Sequence, residues 1–293
     1  MFKLESKRLK REFKISDNTF YASQILNKYS GMSFVPDGNG SEFIIHFVNG
    51  EEFSSKGLAV VDSAEEDGKL IFKFEENMGV KVTLEYWIHP DGNSICKQLI
   101  LTQTGGRPVD YVVLENIGII NSKTHFTVSP VEGSEIPVYQ TILGQPFYVD
   151  SLFFGCEFPA TDNRIVHGLG RIRYYVGKFV GENFACPVTV MGGGKNNTLS
   201  AVRDAFFEYI ASISTTCNLR FQYNSWYDYM KDITEENIMT SFTEVHKQLK
   251  EHGAPDLDAY VVDDGWPNTK AGFWSFNKKF PNKLTKVTEL CDS

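Results

Sequence analysis

Val80-Lys-Val-Thr-Leu-Glu-Tyr-Trp-Ile88, then Pro90-Asp-Gly-Asn93, then Ile95-Cys-Lys-Gln-Leu-Ile-Leu101, is the most clearly patterned stretch of the chain. Val80, Val82, Leu84, Tyr86 and Ile88 fall on alternate positions, so an extended backbone sets them on one face. Pro90 to Asn93 is turn chemistry, and the apolar return from Ile95 completes a hairpin. Upstream the same grammar recurs: Phe43-Ile-Ile-His-Phe-Val48 runs into Asn49-Gly50, and Lys69-Leu-Ile-Phe-Lys-Phe74 follows. Amphipathic helical spacing is scarce before about residue 190. Many short strands at this interval specify a β-sandwich, and we assign it to residues 1–197.

The pattern changes after that. Thr198-Leu-Ser-Ala-Val-Arg-Asp-Ala-Phe-Phe-Glu-Tyr-Ile210 offers an N-cap and then Val202, Phe206 and Ile210 on one helical face, read as a connecting helix over 198–215. Asn218 to Ser225 reads as a strand. Asp232 with Glu235 three residues on has capping-box spacing, ahead of a helix whose Ile238, Phe242, Val245 and Leu249 form an apolar stripe ending at His252-Gly253. Asp258-Ala-Tyr-Val-Val-Asp263 is a second strand. Strand, helix and strand with short connections imply a parallel pair and a right-handed crossover. The fold class expected is therefore an all-β super-sandwich followed by the start of a (β/α)8 barrel, 216–293, cut off after about two β/α units. Met191-Gly-Gly-Gly194, followed by Lys195-Asn-Asn, reads as a loop.

Composition narrows the function. The formal net charge is -8, which argues against a general nucleic-acid binder, because phosphate recognition needs concentrated Lys and Arg. No stretch is apolar for long enough to span a bilayer, and the charged N-terminus lacks a signal-peptide core, so a cytoplasmic protein is expected. The five cysteines, Cys96, Cys156, Cys186, Cys217 and Cys291, are odd in number and contain no CxxC pair, which suits reduced, mostly buried thiols. The six histidines show neither HxH nor HExxH spacing, so no metal and no cofactor are expected.

Two clusters carry chemistry. Tyr223-Asn-Ser-Trp-Tyr-Asp228 and Val261-Val-Asp-Asp-Gly-Trp266 each stand where a strand ends and its loop begins, which in a β/α barrel is the catalytic face. Asp-Gly alone is a common turn pair and a neighbouring Trp often only packs. Two consecutive strand ends, both bearing Asp and Trp, point instead to a sugar pocket: an ionised carboxylate accepts two hydroxyl hydrogen bonds, and an indole offers a flat wall to the C–H face of a pyranose. The candidate substrate-binding residues are Asp263, Asp264, Trp226 and Trp266. Asp228 is a fifth, with a helix-cap or loop role as the alternative. Glu157 and Asp150, on the sandwich, are placed to reach over the barrel mouth, with simply solvated loop acids as the commoner alternative.

These clusters resemble glycoside hydrolase family 36, which holds α-galactosidases and α-N-acetylgalactosaminidases, with the raffinose and stachyose synthases nearby. The resemblance is carried by Tyr223-Asn-Ser-Trp226, Val262-Asp-Asp-Gly-Trp266 and Trp274-Ser-Phe-Asn-Lys-Lys-Phe-Pro281. Gly144-Gln-Pro-Phe-Tyr-Val-Asp-Ser-Leu-Phe-Phe-Gly-Cys-Glu-Phe-Pro159 in the sandwich is similar to a segment that precedes such barrels. It implies a retaining glycosidase acting on terminal α-linked galactose or N-acetylgalactosamine in oligosaccharides. Asp263 and Asp264 would take the axial 4-hydroxyl and the 6-hydroxyl, Trp226 and Trp266 the apolar face, and no nucleic acid or membrane would be involved.

The same resemblance places the nucleophile in a Lys-Trp/Tyr-Asp motif at the fourth barrel strand and the acid/base near the sixth, both beyond Ser293. Asn218 to Ser293 is less than a third of the roughly 250 residues a complete barrel takes. A retaining mechanism needs two carboxyls about 5–5.5 Å apart. Asp263 and Asp264 are strand neighbours facing different ways, so they read as recognition residues and the chain itself as inactive. The alternatives are a carbohydrate-binding sandwich module and a raffinose-synthase-like transglycosylase. An incomplete barrel exposes strand edges and apolar faces, so a weakly stable or self-associating C-terminal region, a homo-oligomer included, is expected unless the sandwich covers it.

Overall fold

The computed structural model describes residues 1–16, 19–120, 122–125, 138–140, 143–272 and 274–292. They form two compact units, Met1–Ser214 and Thr215–Ser293.

The first unit is built from antiparallel strands in three sheets. Four strands from Phe2–Glu5 to Met32–Phe34 make one. A nine-stranded sheet has Leu152–Cys156, Thr189–Gly193, Ile95–Gln103, Val80–Ile88 and Lys69–Phe74 side by side. A six-stranded sheet is centred on Leu169–Lys178, Val109–Gly118 and Ile44–Phe47. The expected hairpin forms, with Ile95 opposite Ile88, Leu99 opposite Leu84 and Gln103 opposite Val80. Val80, Val82, Leu84 and Tyr86 turn inward, while Lys81 and its alternates face out.

Aromatic rings join the sheets. Phe13 and Phe20 of the four-stranded sheet stack at 5.4 Å, and Phe20 meets Phe72 of the nine-stranded sheet at 4.3 Å. Phe13 also meets Tyr86 at 4.6 Å. Ring pairs at these distances add to the burial of their apolar area.

Four charges are sealed within this apolar interior. The Arg11 Nη2 group lies 3.0 Å from Glu42 Oε2 and 3.3 Å from Glu115 Oε1. Lys97 Nζ lies 3.5 Å from Glu42 Oε2 and 3.3 Å from Glu115 Oε2. Tyr86 donates its hydroxyl to Glu42, and the Ala22 amide donates to Glu42 Oε1 at 2.7 Å. Charges so fully removed from water persist only when mutually paired and hydrogen-bonded.

Met191-Gly-Gly-Gly194 departs from the loop expected. Thr189–Gly193 is a buried strand, paired on both sides. The glycines are there for space: a Cβ on Gly192 would lie 2.1 Å from the Phe153 ring, one on Gly193 would lie 2.8 Å from the Asn27 side chain, and one on Gly194 would lie 2.7 Å from the Ala201 carbonyl. Turn-like composition here reports close approach, not a turn.

The helix Leu199–Ile213 is capped by Thr198, whose Oγ1 accepts the Ala201 amide at 3.3 Å. It packs on the outer face of the nine-stranded sheet through Val202, Ala205 and Tyr209 against Cys96, Phe153 and Val190. Phe206 and Ile210, expected at the centre of the buried face, flank it half-buried. Tyr209 donates its hydroxyl to Glu157, so that acid is engaged and not simply solvated. Asp150 likewise accepts the Lys123 amide at 3.0 Å.

In the second unit, Gln222–Asn224 and Ala259–Val261 pair in parallel, Tyr223 opposite Tyr260 and Asn224 opposite Val261, with the helix Glu235–Glu251 between them in sequence. Both strands are shorter than read from sequence, because pairing extends no further among the described residues. Ile233, Ile238, Phe242, Phe280 and Val287 make the core. Val245 and Leu249 of the expected stripe are only half-buried. The cap also differs: Thr234 accepts the Asn237 amide at 3.1 Å and the Asn237 side chain accepts the Thr234 amide at 2.7 Å, in place of the expected Asp232–Glu235 box. Glu235 instead accepts the Asn282 amide at 3.0 Å and its side-chain nitrogen at 2.8 Å. Among the described residues no helix is long and apolar enough to cross a membrane. Cys96 and Cys186 are buried and their thiols are pushed up to about 12 by desolvation, but Cys217 and Cys291 are exposed, against the expectation of mostly buried thiols.

Candidate functional site

Trp226 and Asp263 each stand two residues beyond the last paired positions, Asn224 and Val261, of adjacent parallel strands. The pairing therefore sets both clusters at one end of the two-stranded sheet. Ser225, fully buried, fastens them: its amide donates to the Val261 carbonyl at 3.1 Å and its Oγ accepts the Asp263 amide at 2.9 Å.

Beyond this point the chain turns sharply. Asp263 Oδ1 accepts the Asp264 amide and Asp264 Oδ1 accepts the Gly265 amide, both at 2.7 Å. Gly265 has φ of 119°, and a Cβ there would lie 2.5 Å from the Lys231 carbonyl, so no other residue fits without displacement. The Asp-Gly pair is thus a turn in geometry as well as a carrier of carboxylates.

The two carboxylates have different surroundings. Asp264 is exposed, and Lys231 Nζ lies 3.2 Å from its Oδ2. The hydrogen bond from Lys231, with that from the Gly265 amide, holds the Asp264 carboxyl below its ordinary 3.8. Asp263 is half-buried, and its Oδ2 has no protein partner among the described residues, leaving an acceptor oxygen for a ligand. Lys231 was not singled out in the sequence; an isolated lysine carries no pattern that would reveal it.

The aromatic residues divide as well. Trp266 stacks with Trp274 at 6.1 Å and 29° and meets Phe276 at 5.0 Å, an aromatic group in which Trp274 is 79% exposed. Asn277 holds it by donating its side-chain nitrogen to the Gly265 carbonyl at 2.6 Å and its amide to the Trp266 carbonyl at 2.9 Å. Trp226, half-buried, opens the short helix Trp226–Tyr229, its amide donating to Asn224 Oδ1 at 2.8 Å. Asp228 accepts the Tyr223 hydroxyl, an internal contact of that segment. Desolvation, together with that bond to Asp228, pushes the Tyr223 phenol up to about 12.

No protein-family model matches the sequence. No curated protein matches it either. Solved structures do. The α-galactosidase from Lactobacillus brevis superimposes with a TM-score of 0.59 at 11% identity, over 99% of this chain and 53% of that one. The galactosidase domain of the α-galactosidase-sucrose kinase AgaSK gives 0.59 at 13%, over 99% and 54%. A quadruple mutant of the α-N-acetylgalactosaminidase NagBb from Bifidobacterium bifidum gives 0.53 at 12%, over 100% and 57%.

The chain shares its fold with these glycosidases. They are the enzyme types that the Trp-Asp clusters and the Asp-Asp-Gly-Trp segment pointed to, and the chain spans about half the length of each. At this identity the likeness is one of fold. The site residues stand on their own geometry: one free carboxylate oxygen, one carboxylate paired with a lysine, and an exposed indole stack.

Proposed function

We propose that the chain is part of a retaining glycoside hydrolase acting on terminal α-linked galactose or N-acetylgalactosamine, and that its Thr215–Ser293 unit is the opening of the catalytic barrel. The observation that carries the reading is the Ser225–Asp263 fastening, which brings Trp226, Asp263 and Asp264 to one end of a parallel strand pair, where barrel enzymes bind substrate.

In this reading Asp263 Oδ2 accepts a sugar hydroxyl. Asp264 accepts a second while Lys231 donates to the same or an adjacent oxygen. Such charge-assisted bonds are directional, and an axial and an equatorial hydroxyl cannot both satisfy one fixed carboxylate, so galactose is told from glucose. Trp226 and Trp266 flank the C–H face. Asp263 and Asp264 are sequence neighbours just past a strand end and not a pair flanking one bond, so in this reading they bind and orient; the nucleophile and the acid/base belong to chain outside these residues.

The test is a titration of the 293-residue chain with D-galactose, followed by tryptophan fluorescence. Saturable quenching that disappears in Asp263→Asn is expected, with no release of nitrophenol from p-nitrophenyl α-D-galactopyranoside. Quenching that is equal in Asp263→Asn would sink the assignment of the pocket, and turnover would sink the division of labour.

A further inference from the structure

The six-stranded sheet turns Ile165 and Ile172 into the core, so the residues that alternate with them stand on its outer face. Three of these are arginines. Arg164 and Arg171 lie directly opposite one another where Asp162–Val166 pairs with Leu169–Lys178, and Arg173 follows two residues on. Like charges directly opposite on one sheet face are destabilising, so a fold that keeps such a pair requires an account. All three belong to the Met1–Ser214 unit.

The carboxylates on this face answer one arginine and not three. Asp162 is clasped by Arg164, whose Nε donates to Oδ1 at 2.6 Å and whose Nη2 lies 2.6 Å from Oδ2. Arg173 Nη1 comes no nearer than 4.0 Å to that Oδ2 and donates instead to the Tyr175 hydroxyl at 3.2 Å. The Arg173 guanidinium also lies over the Tyr111 ring at 4.3 Å, a contact that occupies its face and leaves its N–H edge. Arg171 donates through Nε to Asn116 Oδ1 at 2.8 Å and forms no ion pair among the described residues. The remaining acids gather about His46, across Tyr111 in the sheet order: Glu52 stands opposite His46, and Asp110 Oδ2 lies 3.4 Å from His46 Nδ1. Glu52 acts on Arg171 only from a distance, and burial with the Arg173 charge outweighs it, so the Arg171 guanidinium is held below its ordinary value. Positive charge is thus left over on the Arg171 and Arg173 side, where both side chains are half-buried and open to solvent.

The donors define the ligand. Each guanidinium offers N–H groups in a planar fork that matches an oxyanion. A carboxylate has two oxygens and satisfies one fork. A phosphate group has three acceptor oxygens and close to two charges, enough for two forks and a further donor. The Tyr111 hydroxyl, within electrostatic reach of both arginines, is that donor.

We propose that Arg171 and Arg173, with the Tyr111 hydroxyl, bind a phosphate group on the outer face of the six-stranded sheet, either as free phosphate or as the monoester of a small molecule. The site belongs to the sandwich and does not rest on the pocket proposed for the Thr215–Ser293 unit.

The test is a nuclear magnetic resonance titration of the intact 293-residue chain at low ionic strength and slightly above neutral pH. The probes are inorganic phosphate, glucose 6-phosphate, acetate and glucose, read at the Arg171 and Arg173 Nε–H correlations, each assigned by its loss in Arg171→Gln or Arg173→Gln. Both correlations should shift saturably with phosphate, and Arg173→Gln should weaken binding by about tenfold. Glu52 is exposed, so Glu52→Gln should fold normally, and removing its opposing charge should tighten phosphate by about twofold. Acetate should bind about tenfold more weakly than phosphate, and glucose should cause no shift. Glucose 6-phosphate bound at least as tightly as phosphate would make a phosphorylated small molecule the ligand, and weaker binding would make it free phosphate; both support the site.

Four results would overturn the proposal. No shift with either phosphate compound in the folded chain would mean that the protein's own groups answer both arginines. Acetate as tight as phosphate would mean that the two forks act separately. An equal response to glucose would remove the role of charge. Phosphate binding unchanged in Arg173→Gln and in Glu52→Gln would place the anion elsewhere.

Discussion

Ser225 Oγ, buried to the last ångström of its surface, accepts the backbone amide of Asp263 at 2.9 Å across 38 residues of sequence. This bond and the one from the Ser225 amide to Val261 are what hold the Trp226 and Asp263 segments in register past the end of the strand pair.

Ser225→Ala should leave the Asp263 amide without its acceptor and destabilise the Thr215–Ser293 unit by about 1–3 kcal/mol. Trp226, Trp266 and Trp274 report that unit, so a lower urea midpoint by fluorescence and faster exchange at the Asp263 amide are the readouts. An Asp263 amide as well protected as in the parent chain would show that the bond is not formed.

Lys231→Met should raise the Asp264 carboxyl back toward 3.8, because the hydrogen bond and charge that hold it down are gone. A carbon-detected titration of the side-chain carboxyls would see this directly. Asp264 is exposed, so little change in stability accompanies the shift.

Glu42→Gln should cost about 3–5 kcal/mol, the usual penalty for removing one member of a sealed charge network. Burial by itself would raise the Glu42 carboxyl, but Arg11 and Lys97, with the Tyr86 and Ala22 hydrogen bonds, outweigh it and hold the folded-state value below the ordinary 4.5. The stability this contributes is present in full above 4.5 and is lost as pH falls through the lower folded value. Denaturant midpoints of the parent chain should therefore drop in acid below 4.5, and those of Glu42→Gln should drop less.

Gly192→Ala puts a methyl into the Phe153 ring and should cost about 1–3 kcal/mol, lowering the melting temperature of the sandwich by several degrees. Phe153→Leu in the same chain should recover part of the loss. Equal melting of the parent and Gly192→Ala would mean that the ring moves aside freely.

The sandwich was legible because alternation is a local property: Val80 to Tyr86 announce a buried face whatever their partners. The same holds for Asp263 and Trp266, since strand ends and turns are written in neighbouring residues. What escaped were relationships set by distant packing. Gly192 and Gly193 look like a loop until Phe153 and Asn27 are placed beside them. Thr234 and Asp232 are equally good caps on paper, and Glu235 is drawn from the box by Asn282, 47 residues on. Lys231 beside Asp264 and Arg11 among the phenylalanines have no periodic signature at all.

Arg11 comes from the four-stranded sheet, Lys97 from the nine-stranded sheet, and Glu115 from the six-stranded sheet, with Glu42 two residues ahead of that sheet's strand Ile44–Phe47. Docking the first two sheets alone would enclose two positive charges. Docking either of them onto the third alone would enclose a surplus negative one. Only the three-way assembly is neutral, so partial assemblies are penalised and the sandwich should come together, and come apart, as a single cooperative step.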